Sequence, residues 1–150
     1  MKRAISSAQR NQRGTALVEF ALIIWLLVLL LVGVVDFGLV IREHQIMQNA
    51  AREGARFSGM NSIAHAIDPT ATTNAIKGVV VDYLAQEGIT IPASNVSVSQ
   101  TQVIDFGGGE TAMGSKITVT YSHPLLVANG WKFGPVTLGA SAIFRNFYSE

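Results

Sequence analysis

From Arg13 to Gly38 the chain reads RGTALVEFALIIWLLVLLLVGVVDFG, with sixteen successive apolar or glycine residues, Phe20 to Val35, held between Glu19 and Asp36. With Ala16, Leu17 and Val18 on the far side of the glutamate, the segment covers twenty positions. Twenty helical residues rise about 30 Å, the thickness of a bilayer's hydrocarbon core. A helix apolar on every side has no polar face to turn to water, and a chain of 150 residues holds too little other protein to wrap one. The segment is therefore read as a membrane-spanning helix. Glu19 is its anomaly. A charge inside an apolar span costs about 2.5–3.5 kcal/mol at the centre and less near an end, so it marks a function unless it snorkels to the headgroups.

Charge is distributed unevenly along the chain. Lys2, Arg3, Arg10 and Arg13 are four of the eleven basic residues and precede Gly14 with no acid among them. The remainder holds seven basic and ten acidic residues, a net of −3. A short basic leader before a span is a topology signal rather than a nucleic-acid arm, and it keeps the N-terminus cytoplasmic with the bulk of the chain outside. Residues 1–13 lack apolar periodicity and are expected to be disordered. The apolar run is too long for a secretory signal core, and no small-x-small site follows it. With no cysteine, the chain has no disulfide scaffold, thiolate metal site or cysteine nucleophile.

Beyond the span no proline intervenes before Ser58, and Phe37, Ile41, Met47, Ala51 and Ala55 keep a broadly helical spacing. The helix is expected to run from Thr15 to about Ser58, roughly 65 Å, and to end at Gly59 or Asn61. Ala50, Ala51, Gly54, Ala55, Ser58 and Gly59 form a strip of small residues that would let another layer approach closely. Between them, Glu53 stands near enough to Arg52 and Arg56 for local pairing. Asp68-Pro69 reads as a cap with a first-turn proline, opening a second, amphipathic helix over about Pro69 to Glu87, with Gly88 as terminator. Its apolar stripe is Ala75, Ile76, Val79, Val80, Tyr83 and Leu84.

The C-terminal third reads as strands. Ile89–Ile91 before Pro92 is expected to be a short edge piece. Val96, Val98 and Val103 alternate with a change of parity that points to a bulge near Gln100. Gly107-Gly108-Gly109 is a turn. Ile117, Val119 and Tyr121 alternate cleanly, as do Val136, Leu138, Ala140, Ala142 and Phe144, with a loop over Pro124–Gly134 carrying Trp131 and Phe133. Three strands joined this way make an antiparallel meander whose apolar face must be covered by the second helix or the far half of the first.

Two motifs carry a family resemblance. A basic leader, Gly14-Thr15, then Glu19 and Phe20 opening a long apolar helix resembles the class III prepilin signal, in which a prepilin peptidase cuts after the glycine on the cytoplasmic side. The VEFAL opening, Val18 to Leu22, followed by AAREGAR, Ala50 to Arg56, resembles the TadE-like minor pseudopilins of the Tad (tight adherence) pilus system. One departure stands out: the family commonly has a proline shortly after VEFAL, where this chain reads Ile24-Trp25, so no proline kink is expected. The resemblance implies processing at Gly14, Thr15, Glu19 and Phe20, and an assembly role in which Glu19 pairs with the N-terminal amine of a neighbouring subunit. The implied partners are the prepilin peptidase, the major and minor pilins of the Tad system, the inner-membrane assembly platform and membrane lipid, with no nucleic acid.

The expected fold is α+β: a leader over 1–14, a transmembrane and extended helix over 15–60, and a small pilin-like extracytoplasmic domain over 61–150 with one further helix and about three antiparallel strands. The chain would be a single-pass protein of the bacterial inner membrane. Nothing in the sequence supports catalysis. His44, His65 and His123 have no ligand spacing, no serine sits in a nucleophile elbow, and the triglycine is followed by neither a lysine nor a helix. No metal and no cofactor is expected. A competing reading is an unprocessed single-span protein whose outer domain binds a ligand or cell-wall component.

Overall fold

A computed structural model describes residues 4–61, 67–126 and 134–146, with side chains from residue 14 onward. One helix, α1, runs from Ala4 to Met60, 57 residues, or about 85 Å. It begins earlier than expected. The disorder assigned to residues 1–13 is corrected from Ala4 onward, because Ala4, Ala8, Gln9, Arg10, Gln12 and Arg13 are strong helix formers and extend an existing helix without a new nucleation cost. At the other end Asn61 closes α1. Its Nδ2 donates to the Phe57 carbonyl at 2.8 Å, and its backbone N–H is shared between the Phe57 and Ser58 carbonyls.

The second helix, α2, spans Pro69–Gln86. Asp68 caps it by accepting from the Thr70 and Ala71 amides at 3.1 and 2.9 Å, with Pro69 at the first helical position. At its end Gly88 has φ +83°, a left-handed conformation that costs glycine little. The Ile89 amide then bonds back to the Leu84 carbonyl at 2.9 Å, and both side chains are buried, which completes a Schellman stop. Thr72, Ile76, Val80 and Leu84 are the buried face. Ala75 is exposed, so the stripe is narrower than the sequence implied.

Three strands follow: β1 Val96–Asp105, β2 Thr111–His123 and β3 Val136–Arg145, in the antiparallel order β1-β2-β3. The bulge lies where parity placed it. Ser99 pairs with Lys116 and Gln102 with Gly114, so Gln100 and Thr101 together oppose Ser115. Gly107, Gly108 and Gly109 all have positive φ and turn β1 into β2. The edge strand expected over Ile89–Ile91 is not formed. Ile89 and Ile91 are buried as an extended linker, followed by a 3-10 turn at Ala93–Asn95. Pro92 in the middle of this stretch removes a donor that a sheet edge would need. Trp131, Phe133 and His65 lie outside the described residues.

The far half of α1 and all of α2 cover one face of the sheet. Met47, Ile76, Val80, Leu84, Val96, Ile117 and Val119 are the fully buried centre. The near half of α1 stands clear of the head: its most apolar window, of mean hydropathy 2.9, contains no buried residue. A core helix of a water-soluble fold would be covered. This one is long and apolar enough to cross a membrane.

Candidate functional site

The four positions singled out for processing sit together at the entrance to the apolar run. Gly14, Thr15, Glu19 and Phe20 lie in consecutive turns of α1, and all four are exposed. A Cβ added at Gly14 would meet nothing within 4 Å, so no packing against the fold accounts for a glycine there. Thr15 and Glu19 are four residues apart and share one face of the helix. Among the described residues Glu19 makes no ion pair. Phe20 continues outward into the ring of exposed side chains that includes Leu22, Trp25 and Leu26.

The far half of the same helix is put to a different use. Ala50, Ala51, Gly54, Ala55, Ser58 and Gly59 are all buried. A Cβ at Gly54 would collide with a methyl of Val80 and touch Ile117 at 3.6 Å. The small-residue strip is thus the seat of the chain's own head: α2 crosses it and β2 lies beneath. The charged residues of the same motif turn outward. Arg56 donates to Glu53 at 2.7 and 3.2 Å, and that carboxylate, by hydrogen bond first and charge second, raises the guanidinium pKa. They line an open groove of about 430 Å³ with Asn49, Arg52, Tyr83 and Phe144.

Among the described residues, polar ties at several levels fix the head on the helix, Gln48 Nε2 donating to the Ser141 carbonyl at 3.0 Å and three more at its ends and middle, and none was assigned such a role from sequence. At the end farthest from the apolar run, Gln100 in the bulge donates from Nε2 to Ser58 Oγ at 2.8 Å. Asn146 donates to the Gln100 carbonyl at 3.2 Å and accepts from Ser115 at 2.7 Å, so the extra residue in β1 is what turns Gln100 toward α1. In the middle, His123 Nδ1 lies 2.6 Å from Glu43 Oε2. Nearest the apolar run, the Leu126 amide donates to Asp36 Oδ1 at 3.0 Å. Asp36 was legible as the residue closing the span, and His123 as a lone histidine. Their partners were not, because each contact joins positions 80 to 90 residues apart.

No group of His, Asp or Glu among the described residues is arranged to hold a metal ion. Residues 14–56 match the family model described as TadE-like protein. Over that segment the chain is similar to TadE-like proteins, and its long apolar helix is consistent with a membrane anchor. The matched segment contains the apolar run, Glu19 and the small-residue strip up to Arg56, whereas the sheet and α2 lie beyond it. Neither a curated protein nor a solved structure matches the chain.

Proposed function

We propose, with the TadE-like match over residues 14–56 as premise, that the chain is a minor pseudopilin, processed by a prepilin peptidase and acting in assembly of Tad-type adhesive pili. The observation that carries this reading is the spacing of Gly14 and Glu19 at the mouth of an apolar helix whose surface the chain itself leaves uncovered. Hydrolysis of the Gly14–Thr15 peptide leaves a carboxylate on Gly14 and a new amine on Thr15. Gly14 suits the cut because it costs the helix up to about 1 kcal/mol relative to alanine and so eases local unwinding. The leader then stays on the cytoplasmic side of the inner membrane and the head on the other.

Assembly follows from the same chemistry. Charges taken out of water attract strongly when paired and are costly when alone. Glu19 pairs with the Thr15 amine of a neighbouring subunit and penalises any register that leaves it unmatched, while Phe20 to Val35 supplies the packing area. Because the small-residue strip is occupied by the head, contacts with the major pilin, other minor pseudopilins and the assembly platform fall mainly on the span. Mass spectrometry of the membrane-extracted protein should find Thr15 at the N-terminus; an intact Met1 in a strain with active peptidase rejects processing and favours an unprocessed anchor. For the pairing role, Glu19→Ala is expected to lower incorporation in a pilus assembly assay, and incorporation equal to wild type rejects it.

A further inference from the structure

We infer that the segment following β2, Pro124 to Leu126, rests on the outer surface of the same bilayer that α1 crosses, so that the head lies against the lipid headgroups rather than standing clear of them. The inference depends on the reading of α1 as a membrane span.

Two ties set the level of this segment along the helix. His123 is held at Glu43 and Leu126 at Asp36. Seven helical residues separate Glu43 from Asp36, about 10 Å of rise, and three extended residues from His123 to Leu126 cover about the same distance. The chain leaving β2 therefore descends beside α1, antiparallel to it, and reaches the residue that closes the apolar run. Asp36 is where a span beginning at Ala16 meets the far headgroup layer.

The side chains at this level are those of an interface. Phe37 is 66% exposed and Leu126 55% exposed, with Ile41 also open, and the charged or polar residues Arg42, His44 and Gln45 are exposed only above them. Exposed apolar groups just beyond the end of a span gain by lying against lipid rather than water. Past the end of β2, Leu125 is half-buried and Leu126 exposed, held at this level by the bond of the Leu126 amide to Asp36. Beside a bilayer they continue the apolar surface of α1. The opposite end of the sheet, the Phe106 turn, is a full strand length away, because β2 runs from Thr111 near that turn to His123 near the membrane.

The chain has no cysteine, so single-cysteine labels can be placed without a background. Spin labels at Leu126→Cys, Phe106→Cys and Val28→Cys, all exposed positions, would be compared in full-length protein reconstituted into phosphatidylcholine–phosphatidylglycerol vesicles. The readout is accessibility to oxygen, which concentrates in lipid, and to a water-soluble nickel chelate. Leu126→Cys is expected to show several-fold lower nickel accessibility than Phe106→Cys with oxygen accessibility retained. Nickel accessibility equal to that of Phe106→Cys overturns the inference, as does low accessibility to both reagents, which means burial by protein. Val28→Cys separates the two levels of the argument. If it reads as aqueous, the span itself is wrong; if it reads as deep in lipid while Leu126→Cys reads as aqueous, only the seating of the segment fails.

Discussion

Glu43 on α1 and His123 at the end of β2 meet with Oε2 and Nδ1 2.6 Å apart, although they are 80 positions apart in the chain. The imidazole is 5% exposed, and its Nε2 is buried with no hydrogen-bond partner among the described residues. The pair locks the direction in which β2 leaves the head, and hence the descent toward Asp36.

Removing the carboxylate should be costly. Glu43→Ala leaves a buried imidazole with neither nitrogen satisfied and is expected to destabilise the head by about 1–3 kcal/mol. Glu43→Gln, which keeps an acceptor oxygen, should lose less. Urea unfolding of the detergent-solubilised chain, followed by tertiary circular dichroism, measures both; equal midpoints for wild type and Glu43→Ala would contradict the lock.

Two glycines should respond to alanine with opposite signs. At Gly54 the new methyl meets Val80 and Ile117, and overpacking of this kind costs about 1–3 kcal/mol. Adding Val80→Ala should return part of that loss, since the two positions share one contact. At Gly78, inside α2, nothing lies within 4 Å of the added carbon, so Gly78→Ala should stabilise by up to about 1 kcal/mol. Thermal midpoints of the three variants test the signs together.

The tie at the bulge is buried and fully matched. Ser58→Ala removes the acceptor of Gln100 Nε2 and should cost about 1–3 kcal/mol. Hydrogen exchange should locate the loosening at the Gln100 bulge and the end of α1, with amides around His123 unchanged. Uniform loosening of the whole head would argue against a local tie.

Alkaline stability should depend on Tyr121. Burial, and then the nearby charge of Glu43, raise its phenol above the ordinary 10.0. The folded state therefore holds its proton more tightly than the unfolded chain. That contribution is intact below pH 10 and is lost as pH rises through the raised folded value. Tyr121→Phe cannot ionise and should flatten the fall in stability on that limb, with little difference near neutrality. A pair of unfolding curves above and below pH 10 shows whether it does.

Much of this architecture was legible because it is encoded locally. The apolar run, Asp68-Pro69, Gly88, the triglycine and the parity change at Gln100 each act through bonds or periodicities spanning a few residues, and each fell where the sequence put it. The Ile89–Ile91 strand failed because an apolar pair before a proline suits a buried linker as well as a sheet edge. The leader's helix was missed because its order comes from the helix already formed after it, not from any pattern of its own.

By itself the sequence determined that a twenty-residue apolar segment needs a bilayer, that Gly14 and Glu19 stand at its mouth, and that a helix and three strands follow. Burial of apolar surface and the short-range geometry of the chain suffice for these. Only the tertiary structure decided what the small residues of AAREGAR touch, that Gln100 reaches Ser58, and that Asp36 and Glu43 hold the end of β2. Such contacts join distant positions whose partners no periodicity names, and they exist only once the core has brought α1 and the sheet together.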